Sequence, residues 1–108
     1  MQGLICGREN EETYLLGVAL SAAGMATRTI ENIALIFEKW SEHPADFLLI
    51  AAQGNPEDTL LEIQSLRTMI IAPSILISDP IAEEIQVRFY QTGVDLIVMR
   101  PYSLRILP

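Results

Sequence analysis

The feature that most constrains this chain is a set of short runs that are apolar at nearly every position: Gly3 to Cys6, Phe47 to Ala51, Ser74 to Ile77 and Leu96 to Met99. A strand with one wet face alternates polar and apolar residues. Runs without that alternation are what strands covered on both faces require. A weaker strand, Ala26 to Ile30, falls between the first two of the longer segments that separate these runs.

Those longer segments have helical spacing and their own punctuation. Asn10 precedes Glu11 and Glu12, a cap followed by acids that suit a helix amino end. Leu15, Leu16, Ala19, Leu20 and Ala23 then recur at helical intervals, and Gly24 stops the helix. A second helix is expected over about Glu31 to Ser41, with Ile33, Ile36, Phe37 and Trp40 turned inward and Pro44 just beyond it. Asn55, Pro56, Glu57 and Asp58 start a third with a cap, a proline in the first turn and acids behind it, ahead of Leu60, Leu61, Ile63 and Leu66. Asp79 and Pro80 repeat that device before Ile81 to Thr92, and Gly93 ends the segment.

Strand and helix alternating in this way predict an α/β domain, a doubly wound five-stranded parallel sheet with right-handed crossovers and helices on both faces. With 108 residues, residues 1–108 make one domain. After the fifth strand only Arg100 to Pro108 remain, and Ser103 is placed to begin a fifth helix. That helix is expected to be missing or truncated, which leaves one sheet face partly bare and marks the chain as a fragment of a longer protein.

Composition narrows the function classes. Half the residues are hydrophobic and 19% are charged, enough for a packed core and against disorder. The formal net charge of −7 repels phosphate backbones and anionic lipid, so this domain is expected to bind neither nucleic acid nor membrane. No apolar run reaches the roughly 20 residues of a membrane span. The single cysteine, Cys6, excludes an internal disulfide, fits a cytoplasmic location, and in its apolar run reads as a small buried hydrophobe.

At the fifth strand the sequence resembles a known family. Gly93, Val94, Asp95, Leu96, Ile97, Val98, Met99, Arg100, Pro101, Tyr102 and Ser103 are similar to the segment of response-regulator receiver domains (CheY-like) that runs gly-ala-x-asp-tyr-leu-x-lys-pro-phe. Pro73 to Ser78 resembles the receiver fourth strand, Asp46 to Ala51 the third, and Leu15 to Gly24 the end of the first helix. The resemblance implies strand order 2-1-3-4-5. It also implies an N-terminal module of a two-component-type transcriptional regulator, a homodimer formed through the fourth helix and fifth strand, and a C-terminal DNA-binding domain.

Carried over residue by residue, the resemblance exposes departures. The acidic pair that helps hold magnesium falls on Gly7 and Arg8, and the phosphate-accepting aspartate on Ala51. The hydroxyl after the fourth strand is kept as Ser78. The phosphoryl-contacting lysine is matched by Arg100, and Pro101, which follows it through a cis peptide in the family, is kept. The aromatic switch position falls near Ile97. Magnesium asks for oxygen ligands, which Gly7 and Ala51 lack, and Ala51 cannot form an acyl phosphate. The expectation is a degenerate, phosphorylation-independent receiver with no metal, no cofactor and no catalytic activity.

A second reading makes Arg8, Ser78 and Arg100 the donors of a pocket for an anion or small molecule at the strand carboxyl ends. The plainer alternative, which we favour, pairs each arginine with a carboxylate such as Glu9 or Asp79. His43, the only histidine, sits in a Ser-Glu-His-Pro loop and reads as a surface residue. Ser78 lacks a glycine-flanked elbow, and Gly3 and Gly7 do not complete a dinucleotide fingerprint. Phe89 and Tyr90 are adjacent, so both cannot face inward. With Tyr102 and Leu104 they outline an expected partner face.

Overall fold

The computed structural model describes residues 1–42 and 44–102; His43, Leu104 and the expected helix start at Ser103 lie outside the described residues. The elements are β1 (Gln2–Cys6), α1 (Glu11–Ala22), β2 (Ala26–Ile30), α2 (Ile33–Lys39), β3 (Phe47–Ala51), α3 (Pro56–Arg67), β4 (Ser74–Ser78), α4 (Glu83–Gln91) and β5 (Leu96–Met99). The sheet is parallel throughout, in the order β2-β1-β3-β4-β5.

The unbroken apolar runs are explained by burial on both sides. Leu4 and Cys6 of β1, Leu48 and Ile50 of β3 and Leu76 of β4 point to one side, where Ile33, Ile36, Leu60, Ile63, Leu66 and Phe89 of α2, α3 and α4 cover them. Their alternates Ile5, Leu49 and Ile77, with Val98 of β5, point to the other and meet Leu16 and Leu20 of α1. Successive strand residues face opposite sides, so a strand roofed on both must be apolar at every position.

The helix starts follow the asparagines. Asn10 Oδ1 accepts the Thr13 N–H at 3.0 Å while Thr13 Oγ1 accepts the Asn10 N–H at 3.1 Å, a reciprocal cap with threonine in the usual acid position. Gly24, at φ +87, closes that helix. Asn55 Oδ1 takes the Glu57 N–H at 2.9 Å ahead of Pro56. Two expected boundaries move. Asn32 Oδ1 accepts the Leu35 N–H at 3.1 Å, so α2 begins at Ile33, after Glu31, and ends at Lys39 with half-buried Trp40 as its carboxyl cap. Asp79 does not cap α4. The helix instead starts after Ala82, which is extended and has no side-chain cap, and Gln86 Nε2 donates to the Ile81 carbonyl at 3.0 Å to hold the entry.

The opposite rim, at the strand amino ends, is pinned by a residue the sequence reading passed over. Arg67 donates to the carbonyls of Ala72 and Gly93, each at 2.8 Å, and to Ser74 Oγ, joining α3, β4 and the turn before β5. Gly93 sits at φ +104 with Arg67 Nε 3.3 Å from where a Cβ would lie, so glycine is required there on both conformational and steric grounds.

Gly3 offers a test of the packing. It stands in register with Phe47, and a Cβ added to it would run into the Phe47 ring. Alanine normally stabilises a strand relative to glycine. Here Gly3→Ala should instead lower stability by about 1–3 kcal/mol, the usual range for overpacking. Combined with Phe47→Leu the cost should fall clearly below the sum of the two single changes, measured by urea midpoints.

Candidate functional site

The strand carboxyl ends converge on one rim. Gly7 extends β1 by one residue, its N–H donating to the Ile30 carbonyl at 2.8 Å. A Cβ on Gly7 would lie 3.1 Å from both Ala51 Cβ and the Ala51 carbonyl oxygen, and 3.4 Å from Thr13 Cγ2. The ends of β1 and β3 therefore leave no room for a side chain at Gly7 without displacing Ala51, and Ala51 is buried. Thr13 Oγ1 donates to the Arg8 carbonyl at 2.8 Å, which fixes the turn leaving β1. The Arg8 side chain is exposed.

Arg100, which follows β5, is the most heavily engaged group on this rim. Its N–H donates to the Ser78 carbonyl at 2.8 Å. Its guanidinium forks onto Glu12 of α1, Nε to Oε2 and Nη2 to Oε1, both at 2.8 Å, and Nη1 reaches Asp79 Oδ1 at 3.4 Å. Tyr102 adds its hydroxyl, donating to Glu12 Oε2 at 3.0 Å. Arg100 and Glu12 side chains are 19% and 20% exposed, so water reaches them only in part. The Arg100 hydrogen bond holds the Glu12 carboxyl below its ordinary 4.5 against the opposing effect of burial. The same contact raises Arg100. Burial first, then the Glu12 carboxylate, pushes the Tyr102 hydroxyl up to about 12.

The plainer sequence reading, that each arginine pairs with a carboxylate, holds for Arg100, with Asp79 among its partners, and fails for Arg8, whose guanidinium makes no ion pair among the described residues. The main partner of Arg100, however, is Glu12 in place of Glu9, and it lies 88 residues away in the chain. The three-donor anion pocket does not assemble. Arg100 is committed to Glu12, and Ser78 Oγ donates to the Asp79 carbonyl at 2.6 Å. Arg8 lines a cavity of about 320 Å³ with Gly7 and Ala51, whereas Ser78 opens onto a separate one of about 130 Å³. The cause is the sheet order, which puts β1 and β4 on opposite sides of β3.

The Arg100–Pro101 peptide is cis. A magnesium ion of the kind the receiver resemblance implies needs several oxygen ligands. Gly7 and Ala51 bring no side-chain oxygen, so the residues present do not fit that ion. Among the described residues no three histidine, cysteine or acidic side chains cluster to hold a metal. Cys6 is buried beside the rim, and burial, helped by the charge of Glu62, pushes its thiol up to about 12. It is an inert thiol, as its apolar run implied.

The expected partner face is revised. Phe89 is buried in the core, leaving Tyr90 as the exposed member of the pair. Tyr102 packs towards α1, where Glu12 holds it, and so leaves the α4 side. The Tyr90 hydroxyl accepts the Ile97 N–H of edge strand β5 at 3.2 Å. Val87 on α4 and Leu96 and Met99 on β5 are also exposed. No helix among the described residues is long and apolar enough to cross a membrane.

No protein-family model and no curated protein matches the sequence. Solved structures do. A two-component response regulator from Clostridium difficile superimposes with a TM-score of 0.86 at 16% identity, over 99% of this chain and 88% of that one. The BeF3-activated N-terminal receiver domain of RstA from Klebsiella pneumoniae gives 0.84 at 13% identity, over 99% and 92%. NtrX from Brucella abortus, in complex with ADP, gives 0.80 at 17% identity, over 96% of this chain but 23% of its own length. What is shared at such identities is the fold, and this chain has the CheY-like receiver fold.

The Glu12–Arg100 pair makes a pH-dependent prediction. A carboxyl whose folded pKa is depressed contributes stability above its unfolded value and loses it as pH falls through the folded one. Glu12→Gln should cost about 1 kcal/mol at neutral pH, the modest end for a charge-assisted fork because water still reaches both groups. That gap from the parent should close as pH drops below 4.5. Urea midpoints across this range test it; a gap indifferent to pH would mean the charge on Glu12 contributes nothing.

Proposed function

We propose that this receiver-fold chain is a phosphorylation-independent regulatory domain, acting through protein contacts as one module of a bacterial signal-transduction or transcriptional regulator. The observation that carries the reading is the make-up of the rim. Gly7 and Ala51, neither with a side-chain oxygen, stand where the receiver resemblance puts magnesium ligands and the phosphate acceptor, and Arg100 is engaged by Glu12. An acyl phosphate needs a carboxylate nucleophile, and alanine has none. On this reading the domain performs no chemistry of its own.

Its output is binding. The exposed side chains Val87, Tyr90, Leu96 and Met99 on α4 and β5 support a homodimer through that side. The NtrX match, confined to 23% of that protein, supports a module joined to an output region such as a DNA-binding domain. With a net charge of −7 this domain would leave nucleic-acid contact to that region, and its lone buried Cys6 suits the cytoplasm.

The decisive experiment adds acetyl phosphate, or beryllofluoride with magnesium, to the protein. The RstA receiver domain, which has been crystallised BeF3-activated, serves as the responsive control. Trp40 fluorescence and amide spectra should stay unchanged. A saturable, magnesium-dependent response would overturn the reading. For the interface, Tyr90→Glu should move a concentration-dependent dimer to monomer in sedimentation, weakening association by about tenfold or more. Association indifferent to that change would remove α4 and β5 from the contact.

A further inference from the structure

The cavity of about 320 Å³ at the ends of β1 and β3 has a lining that receiver chemistry does not explain. The apolar part of its lining is Cys6, Ile33, Ile50 and Ala51. The rest of the lining includes charge of both signs: Arg8 from the turn after β1, Glu31 ahead of α2 and Glu62 on α3. Among the described residues the Arg8 guanidinium makes no ion pair or hydrogen bond, in contrast to Arg100 on the same rim. The charge of Glu62 reaches Cys6 in the same lining, where it adds to the upward shift of the thiol. Asn32 and Gln53 add amides that both donate and accept.

Charge and size together select the occupant. Inorganic phosphate would meet Arg8 but also two repelling carboxylates, and a simple ammonium ion would meet the carboxylates but also Arg8. A molecule carrying one carboxylate and one ammonium group satisfies charges of both signs. The volume lies at the lower end of the roughly 300–1,000 Å³ usual for ligand pockets, which suits a small metabolite better than a nucleotide. We propose that this cavity binds a free amino acid or a similar small zwitterion, its carboxylate on Arg8, its ammonium against Glu31 and Glu62, and its side chain towards Ile33 and Ile50. The inference rests on the phosphorylation-independent reading of the rim and supplies an input for it. A ligand there would tie the turn after β1 to α2 and α3.

The test uses the full chain in magnesium-free buffer with no phosphodonor, so its outcome is separate from the beryllofluoride experiment. The common free L-amino acids are titrated singly by calorimetry and thermal unfolding, beside acetate, inorganic phosphate and ethylammonium as single-charge probes. At least one amino acid should bind saturably and raise the unfolding temperature, while the single-charge probes bind far more weakly. Arg8→Ala and Glu62→Gln, both at exposed positions, should each weaken that binding by about tenfold or more with unchanged circular dichroism. The proposal is overturned by any of three results: no amino acid binds, acetate or phosphate binds equally well, or Arg8→Ala leaves the affinity intact.

Discussion

Burial of the sheet on both faces is the constraint from which the rest of the molecule follows. In β1, β3 and β4 alternate residues feed two separate cores, one under α2, α3 and α4 and the other under α1. A buried polar group without a partner costs roughly 1–3 kcal/mol in proteins, so the strand interiors have no room for chemistry. Polar function is pushed to the rims, where each strand hands over to a loop. Both rims show it. Ser74 and Ser78 mark the two ends of β4, Arg67 organises the amino rim, and Arg100 organises the carboxyl rim.

Why the carboxyl rim uses arginine follows from its shape. A lysine at position 100 would be a point charge with rotatable donors, able to neutralise a carboxylate but not to fix its orientation. The guanidinium is a planar fork. It makes two parallel bonds to Glu12 and still extends a third nitrogen to Asp79. One side chain thus ties α1 to the loop after β4 from the end of β5, and Glu12 uses its remaining capacity on Tyr102. A pair this accessible to water adds little stability by itself. Its main effect is geometric, since it sets where the chain goes as it leaves the sheet.

The parts of this arrangement that were legible in the sequence are those fixed by neighbours in the chain. Continuous apolarity announced the two-sided strands, and Asn10 and Asn55 announced their helices because an amide next to an amide-rich helix start acts within three residues. The adjacency of Phe89 and Tyr90 correctly required one to be exposed. Asp79 and Pro80 misled for a related reason. The dipeptide matches the Asn55 and Pro56 pattern, but Asp79 lies beside Arg100, which takes its carboxylate, and the helix starts after Ala82. Glu12 was read only as an acid favouring a helix amino end. Its second role depends on α1 lying over the sheet face that ends in Arg100, a relation of 88 residues that no local spacing encodes. Arg67 was missed likewise, because its partners Ala72, Ser74 and Gly93 are joined to it by the meeting of β4 and β5.

A regulatory domain of the kind proposed above needs two arrangements that some partner distinguishes, and the rim limits where such a partner could act. An anion arriving at Arg100 must displace Glu12, exchanging a matched two-bond contact for a new one, so its net gain is the small difference between them. Space between Gly7 and Ala51 offers nothing either, because a single added Cβ is already crowded there. Arg8 differs on both counts: its guanidinium is unengaged among the described residues, and it faces an open cavity. Binding free energy at Arg8 is not spent on breaking an existing pair, so a given ligand can bias the domain more strongly there than at Arg100. On the phosphorylation-independent reading proposed above, the part of the rim open to a ligand is therefore the β1 and α2 side, where Arg8 is unengaged among the described residues, and not the β4 and β5 side, where Arg100 is already paired.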